Sequence, residues 1–151
     1  MKQLFFTFLL LIVCLAVGCD DETQFEKDRE AIREYLDANN IDAESSQSGL
    51  FYRIETPGGD TGPSINSTVE IKYRGELRDG TVFDETPDDQ AVEFRLANLI
   101  RGWQVGLPLI GRGGKIHLYI PSALGYGASQ VGSIPPNSVL IFEIELIDFE
   151  N

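Results

Sequence analysis

VEIKYRGELRDGTVFDET, residues 69–86, is the stretch whose reading decides the fold. Val69, Ile71 and Tyr73 alternate with Glu70, Lys72 and Arg74. Successive strand side chains point to opposite faces, so this pattern puts one side of an extended chain on a core and the other in water. Asp79-Gly80 is a strong hairpin signal, because glycine adopts the left-handed backbone such turns require. Thr81-Val82-Phe83 then returns antiparallel. The product is an antiparallel sheet with an apolar face that needs a cover.

Other segments extend the sheet in both directions. LFYRIE (50–55) reads as a strand, and TPGGDTGPS (56–64) after it as a Gly/Pro loop. Val92, Phe94 and Leu96 alternate with Glu93 and Arg95. Lys115–Ile120 and Val139–Phe149 are two more strands, the last with Leu140, Phe142, Ile144 and Leu146 facing one way. The natural cover lies in NLIRGWQVGLPLIGRGG (98–114), which holds the chain's single tryptophan, Trp103. Residues 98–107 are a short helical candidate. GRGGK (111–115) lacks the Gly-Lys-Ser/Thr ending of a phosphate loop and reads as a tight hairpin. The fold class is α+β, with five or so strands over one short helix.

An N-terminal extension precedes this domain. Thr23 and Glu26 form a capping box, in which side chains cover free amide groups at a helix start. Phe25, Ile32 and Leu36 share one stripe with Tyr35 beside it, and Asn39-Asn40 suits a left-handed stop. The expectation is a helix over about 24–38, a spacer or a brace against the main domain, with a dimerising helix as the other reading. DAESSQSG (42–49) is a polar linker. The chain therefore divides into residues 1–18, an acidic tether with its helix at 19–48, and one domain at 49–151.

Residues 1–18 carry an apolar run, Leu4 to Val17, shorter than the ~20 residues of a membrane-spanning helix. It ends in small residues and reads as a secretory signal. LAVGC resembles a bacterial lipobox, which implies that Cys19 is lipidated and becomes the first mature residue. Two or three acyl chains anchor stably where one does not. The other cysteine, Cys14, leaves with the signal, so no disulfide or cysteine metal site is expected. CDDE (19–22) resembles surface-export signals of some Gram-negative lipoproteins and inner-membrane retention signals of others. The expected location is extracytoplasmic, anchored to a bacterial membrane, with the outer membrane or cell surface favoured. Loss of Lys2 takes the net charge from −12 to −13, which argues against nucleic-acid binding.

The familiar catalytic casts are missing. The one histidine, His117, sits in mid-strand, and there is no Gly-x-Ser-x-Gly. The acidic runs DDETQFE and DETPDD read as solvated loop charge, so no metal or cofactor is expected. What remains is aromatic: Tyr73, Phe83, Phe94, Trp103, Tyr126 and Phe142 come from separate elements. Each alone reads as core. Together with the loop ALGYGASQVGSIPPNS (123–138) they also suit an aromatic-walled cleft for a small ligand.

Three motifs then align in order and spacing. VEIKYRGELRDGTVFDET, LIRGWQVGL and ALGYGA…GSIPPNSVLIFEIELI resemble the FKBP-type peptidyl-prolyl cis-trans isomerases over about residues 50–149. The resemblance implies an antiparallel sheet of five to six twisted strands wrapped around one short helix. It implies that Trp103 floors a proline pocket, with Tyr73, Phe83 and Phe142 as walls and Leu99 and Ile100 as rim. The Ile100 amide would hold a substrate carbonyl, Asp84 would be a polar wall group, and Tyr126 would donate through its hydroxyl. Ile134 would close the top, while Val92 and Phe94 face the site. Val92 stands where many members carry an aromatic, which implies a shallower wall. Gln130 and Ser133 replace the His and Ile of many eukaryotic members, which bears on macrolide binding. Only seven residues separate Tyr126 from Ile134, too few for an inserted chaperone flap. The expected partners are proline-containing polypeptides, met by a monomer. The alternative reading is a non-catalytic proline-peptide-binding chaperone or surface-assembly module.

Overall fold

The computed structural model describes residues 23–87 and 90–151. The leader read at 1–18 and the lipidation point Cys19 lie outside the described residues. A helix, α1 (Gln24–Ala38), precedes seven strands: β1 (Glu44–Ser45), β2 (Phe51–Thr56), β3 (Thr68–Leu77), β4 (Val82–Glu85), β5 (Val92–Arg95), β6 (Gly114–Ile120) and β7 (Leu140–Glu150). A second helix, α2 (Arg101–Gly106), lies between β5 and β6. All seven strands form one antiparallel sheet, ordered β1-β2-β6-β7-β3-β4, with β5 also on β3. The α+β expectation holds, with two-residue β1 as an added edge.

The inner face packs against α2. Leu118, Ile120, Leu140, Ile144 and Leu146 are fully buried there together with Leu107 and Ile110. Two glycines allow the close approach. A Cβ on Gly102 would meet Ile120 at 2.6 Å, and one on Gly106 would meet Leu118 at 2.6 Å. The helix backbone therefore rests directly on β6, and these glycines serve sheet contact rather than the tryptophan ring.

The outer face is not simply in water. Phe51, Tyr119 and Ile141 form one cross-strand row on β2, β6 and β7, and α1 covers them with Ile32 and Leu36. This explains why Leu140, Ile141 and Phe142 are all buried in succession: both faces of β7 are covered there. Burying Ile32 and Leu36 contributes about 1.5–3 kcal/mol each, enough to hold α1 against the sheet. The capping box forms as expected, with Thr23 and Glu26 bonded reciprocally, and Asn40 takes the positive φ of 53°.

Turn chemistry differs in one place. Asp79-Gly80 does close the β3–β4 hairpin, with Leu77 N–H on the Thr81 carbonyl at 2.9 Å and Gly80 at φ 84°. GRGG does not make a hairpin. It is a turn that passes the chain from the 3-10 segment Leu107–Leu109 into β6, where Gly113 N–H reaches Leu146 O at 2.7 Å. Arg112 there spreads its guanidinium over the Phe149 ring, 4.4 Å from the centroid, and bonds Asp148.

Candidate active site

Trp103 decides where the site lies. As the third residue of α2 it faces the sheet and is only 4% exposed. Phe142 and Tyr73 stand edge-on to it, at 5.0 Å and 89° and at 5.2 Å and 75°. Perpendicular rings are a favoured aromatic geometry, adding about 0.5–1.5 kcal/mol per pair beyond area burial. Its indole N–H is buried with no hydrogen-bond acceptor among the described residues. Packing, not hydrogen bonding, therefore orients the ring.

Above this indole is an open cavity of about 430 Å³. Tyr73, Phe83, Phe94 and Phe142 wall it, Leu99 and Ile100 lie on the α2 side, and Tyr126 and Ile134 come from the long loop before β7. Among the described residues Asp84 is its single charged lining residue. Val92 is not among the lining residues. It pairs with Ile71 at the far end of β5, about 7 Å along the strand from Phe94, and packs into the core instead.

A strand cannot normally aim two consecutive side chains at one cavity, yet Phe83 and Asp84 both line it. The register supplies the reason: Gly75 pairs with Asp84 but Glu76 with Val82, so Phe83 is the extra residue of a β-bulge. Gly75 completes the device. A Cβ there would lie 2.6 Å from ring carbons of both Phe83 and Phe142, so only glycine lets the two rings meet over the strand.

The polar groups have defined roles. Tyr73 donates its hydroxyl to Asp84 Oδ2 at 2.7 Å. Burial, with the Asp84 bond and charge added, pushes the Tyr73 phenol far above its ordinary range. Burial, then the Asp84 charge, also raises Tyr126. Both phenols thus stay protonated and able to donate. Among the described residues no backbone or side-chain acceptor takes the Ile100 N–H, which leaves a free donor at the rim. Gln104 holds that rim in place, its side-chain amide donating to Ala97 O at 3.0 Å and Leu99 O at 2.8 Å. At the loop, Val131 and Ile134 exchange backbone bonds of 3.1 and 2.9 Å, and Gly132 makes the turn at φ 55°.

Sequence reasoning missed several of these. Asn98, Val131 and Gly132 also line the cavity, as does Ser133, which the sequence singled out only for its bearing on macrolide binding. Gly75 carried a faint signal, a glycine inside a strand, which often marks a bulge or a close approach. Gln104 carried none, because its partners are backbone carbonyls. Among the described residues no cluster of three or more His, Cys, Asp or Glu could hold a metal ion. The arrangement is an open, largely aromatic bowl with hydrogen-bond donors on its lip.

Comparison with known proteins agrees with this geometry. The model of a family described as FKBP-type peptidyl-prolyl cis-trans isomerase matches residues 59–147. A "Probable FKBP-type peptidyl-prolyl cis-trans isomerase" of Haemophilus influenzae is 48% identical over 114 residues, 74% of this chain and 47% of that protein. The crystal structure of FkpA from Escherichia coli superposes with a TM-score of 0.73 at 39% identity, covering 84% of this chain and 63% of the other. A peptidyl-prolyl cis-trans isomerase structure from Pseudomonas syringae has a TM-score of 0.71 at 35% identity, covering 83% and 96%. The chain spans about half the length of the curated relatives it matches.

Proposed function

The chain belongs to the FKBP-type peptidyl-prolyl cis-trans isomerase family, and we propose that it catalyses rotation about X–Pro bonds in extracytoplasmic polypeptides, assisting their folding. The observation that carries this reading is the Trp103-floored cavity with unpartnered donors at its lip. Twisting an amide costs roughly 18–20 kcal/mol because resonance is lost. Uncatalysed X–Pro exchange takes about tens to hundreds of seconds. Water favours the planar, polar amide over the twisted one. A pocket that strips water from the bond and grips the proline ring therefore favours the transition state, and each ~1.4 kcal/mol of such preference gives about tenfold in rate. No nucleophile is needed.

In this reading the proline ring stacks on Trp103 between Tyr73, Phe83 and Phe142. Ile100 N–H holds the carbonyl after the proline, and the Tyr126 hydroxyl holds a second backbone oxygen of the client. Asp84 keeps Tyr73 oriented by accepting its proton bond, while Leu99, Phe94 and Ile134 exclude water from the rim. Cys19 tethers the mature protein to a bacterial membrane through its acyl chains, the outer membrane or cell surface being the favoured site, and the protein works as a monomer. Among the described residues no helix is long and apolar enough to cross a membrane. An exchange assay, protease-coupled or by NMR, on residues 20–151 with a Leu-Pro peptide tests the activity. Acceleration supports it. A measurable peptide affinity with no acceleration selects a holding module instead. Mass spectrometry of the membrane fraction, seeking diacylglycerol on Cys19, tests the anchor.

A further inference from the structure

Among the described residues, one acidic side chain is buried outside the pocket. Asp28 is on α1, is only 3% exposed, and falls on the face that carries Ile32 and Leu36. A carboxylate can only accept hydrogen bonds, and it is costly to bury unless donors meet it. Three do. Gln24 donates to Oδ1 at 2.7 Å, while Ser122 donates to Oδ2 through both its N–H at 2.8 Å and its hydroxyl at 2.5 Å. Ser122 is itself 3% exposed.

Beyond Ser122 the bonding continues into the pocket loop. The Ser122 carbonyl accepts the N–H groups of Gly125 at 2.9 Å and Gly127 at 2.8 Å. These two residues bracket Tyr126, so both sides of the tyrosine hang on one carbonyl. Gly127 O then accepts Asn137 N–H at 2.8 Å, which closes the loop's two ends on each other. Simple packing of α1 on the sheet needs only Ile32, Leu36 and their apolar partners. A buried carboxylate aimed at the root of the Tyr126 loop is not required for that.

We propose that Asp28 is a positioning residue for the pocket: through Ser122 it sets Tyr126, making the N-terminal helix a working part of the site. This rests on the reading of Tyr126 as a ligand donor. α1 thereby supplies an arm through which anything that lifts or seats the helix changes the pocket from outside it.

The test compares Asp28→Ala, Asp28→Asn and Ile32→Ala in the full chain. Three quantities are read for each: the unfolding midpoint, amide shifts and millisecond relaxation of Gly125, Gly127 and Asn137, and kcat/KM on a Leu-Pro peptide. In Asp28→Ala those three amides shift and broaden while the Gly102 and Gly106 amides beneath the pocket stay put. Because displacements near 1 Å cost catalysis heavily, kcat/KM falls about 5- to 20-fold. Asp28→Asn keeps an oxygen for Ser122 and recovers most of that loss. Ile32→Ala lowers the unfolding midpoint but leaves loop amides in place and kcat/KM within about twofold, since it leaves the Asp28 bonds intact. If Asp28→Ala does not fold, Asp28→Asn and Ser122→Ala carry the comparison, the latter losing the hydroxyl bond and giving smaller shifts in the same amides. Unchanged loop amides, or equal broadening at loop and floor, overturn the proposal. A wild-type chain that does not accelerate exchange refutes the isomerase reading, while the amide shifts still judge the coupling.

Discussion

Gly75→Ala adds a single methyl group and tests whether the aromatic bowl depends on a bare strand. The new Cβ would lie 2.6 Å from Phe142 Cε1 and from Phe83 Cε2, and 2.7 Å from Phe83 Cζ. Carbon atoms pack at about 3.5–4.0 Å, so the rings together must give way by roughly 1 Å. Phe142 cannot move, being 4% exposed and wedged edge-on against Trp103 at 5.0 Å. Phe83 is half-buried and held by the bulge, so it is the ring that swings outward and opens the wall. Overpacking of this kind costs about 1–3 kcal/mol, and the stiffer unfolded alanine chain offsets about 0.4–1 of it. The net expectation is about 1–2 kcal/mol of lost stability. Catalysis should suffer more, by about tenfold or beyond, because a displaced wall readmits water to the bond being twisted. Urea unfolding and the exchange assay are run on the same preparation, with the unfolding slope checked for constancy. A variant with wild-type midpoint and wild-type rate would refute the claim that this strand must be bare.

Other perturbations separate the parts. Trp103→Leu removes the floor and should cost about 2–3 kcal/mol, with kcat/KM down more than tenfold while the far-ultraviolet spectrum is retained. Gln104→Met keeps the volume but loses both bonds to Ala97 and Leu99. It should cost about 1 kcal/mol and weaken affinity for a proline peptide, read by Trp103 fluorescence, because the Ile100 donor drifts. The phenols of Tyr73 and Tyr126 are raised by burial and by Asp84, so the isomerisation rate of an uncharged peptide should stay level from pH 7 to 10. A raised folded-state value means that the unfolded chain loses these protons first. Their stabilising contribution is therefore complete below the ordinary tyrosine value near 10 and falls only above it, which thermal unfolding across alkaline pH will read.

How much of this was legible in advance depends on the range of each interaction. The alternation at 69–74, the Asp79-Gly80 turn and the Thr23–Glu26 cap depend on residues a few places apart. The strand, hairpin and first helix could thus be read directly, and the helix bounds agree at Gln24–Ala38. The candidate site was legible through its motifs: Trp103 between two glycines and Tyr126 in its loop stand out against any simple strand or helix pattern. The run Leu140-Ile141-Phe142 carries a signal that the reading of this strand as one-faced passed over, since a half-solvated strand alternates. Asp28, an acid on the helix face of Ile32 and Leu36, breaks that stripe and was likewise passed over.

The local pattern of side chains, period two on strands and near four on helices, determined the sheet, its turns and the greasy inner face. Such periodicities follow from backbone geometry that every residue obeys. Only the folded chain decided that Phe83 bulges over Gly75, that Gln104 grips the rim, and that Asp28 meets Ser122, a residue 94 places away. Those contacts depend on how the chain turns and packs, whether the partners lie five residues apart, as Gln104 and Leu99 do, or ninety-four. Their energies exist only once collapse has excluded water and brought the partners within 3 Å.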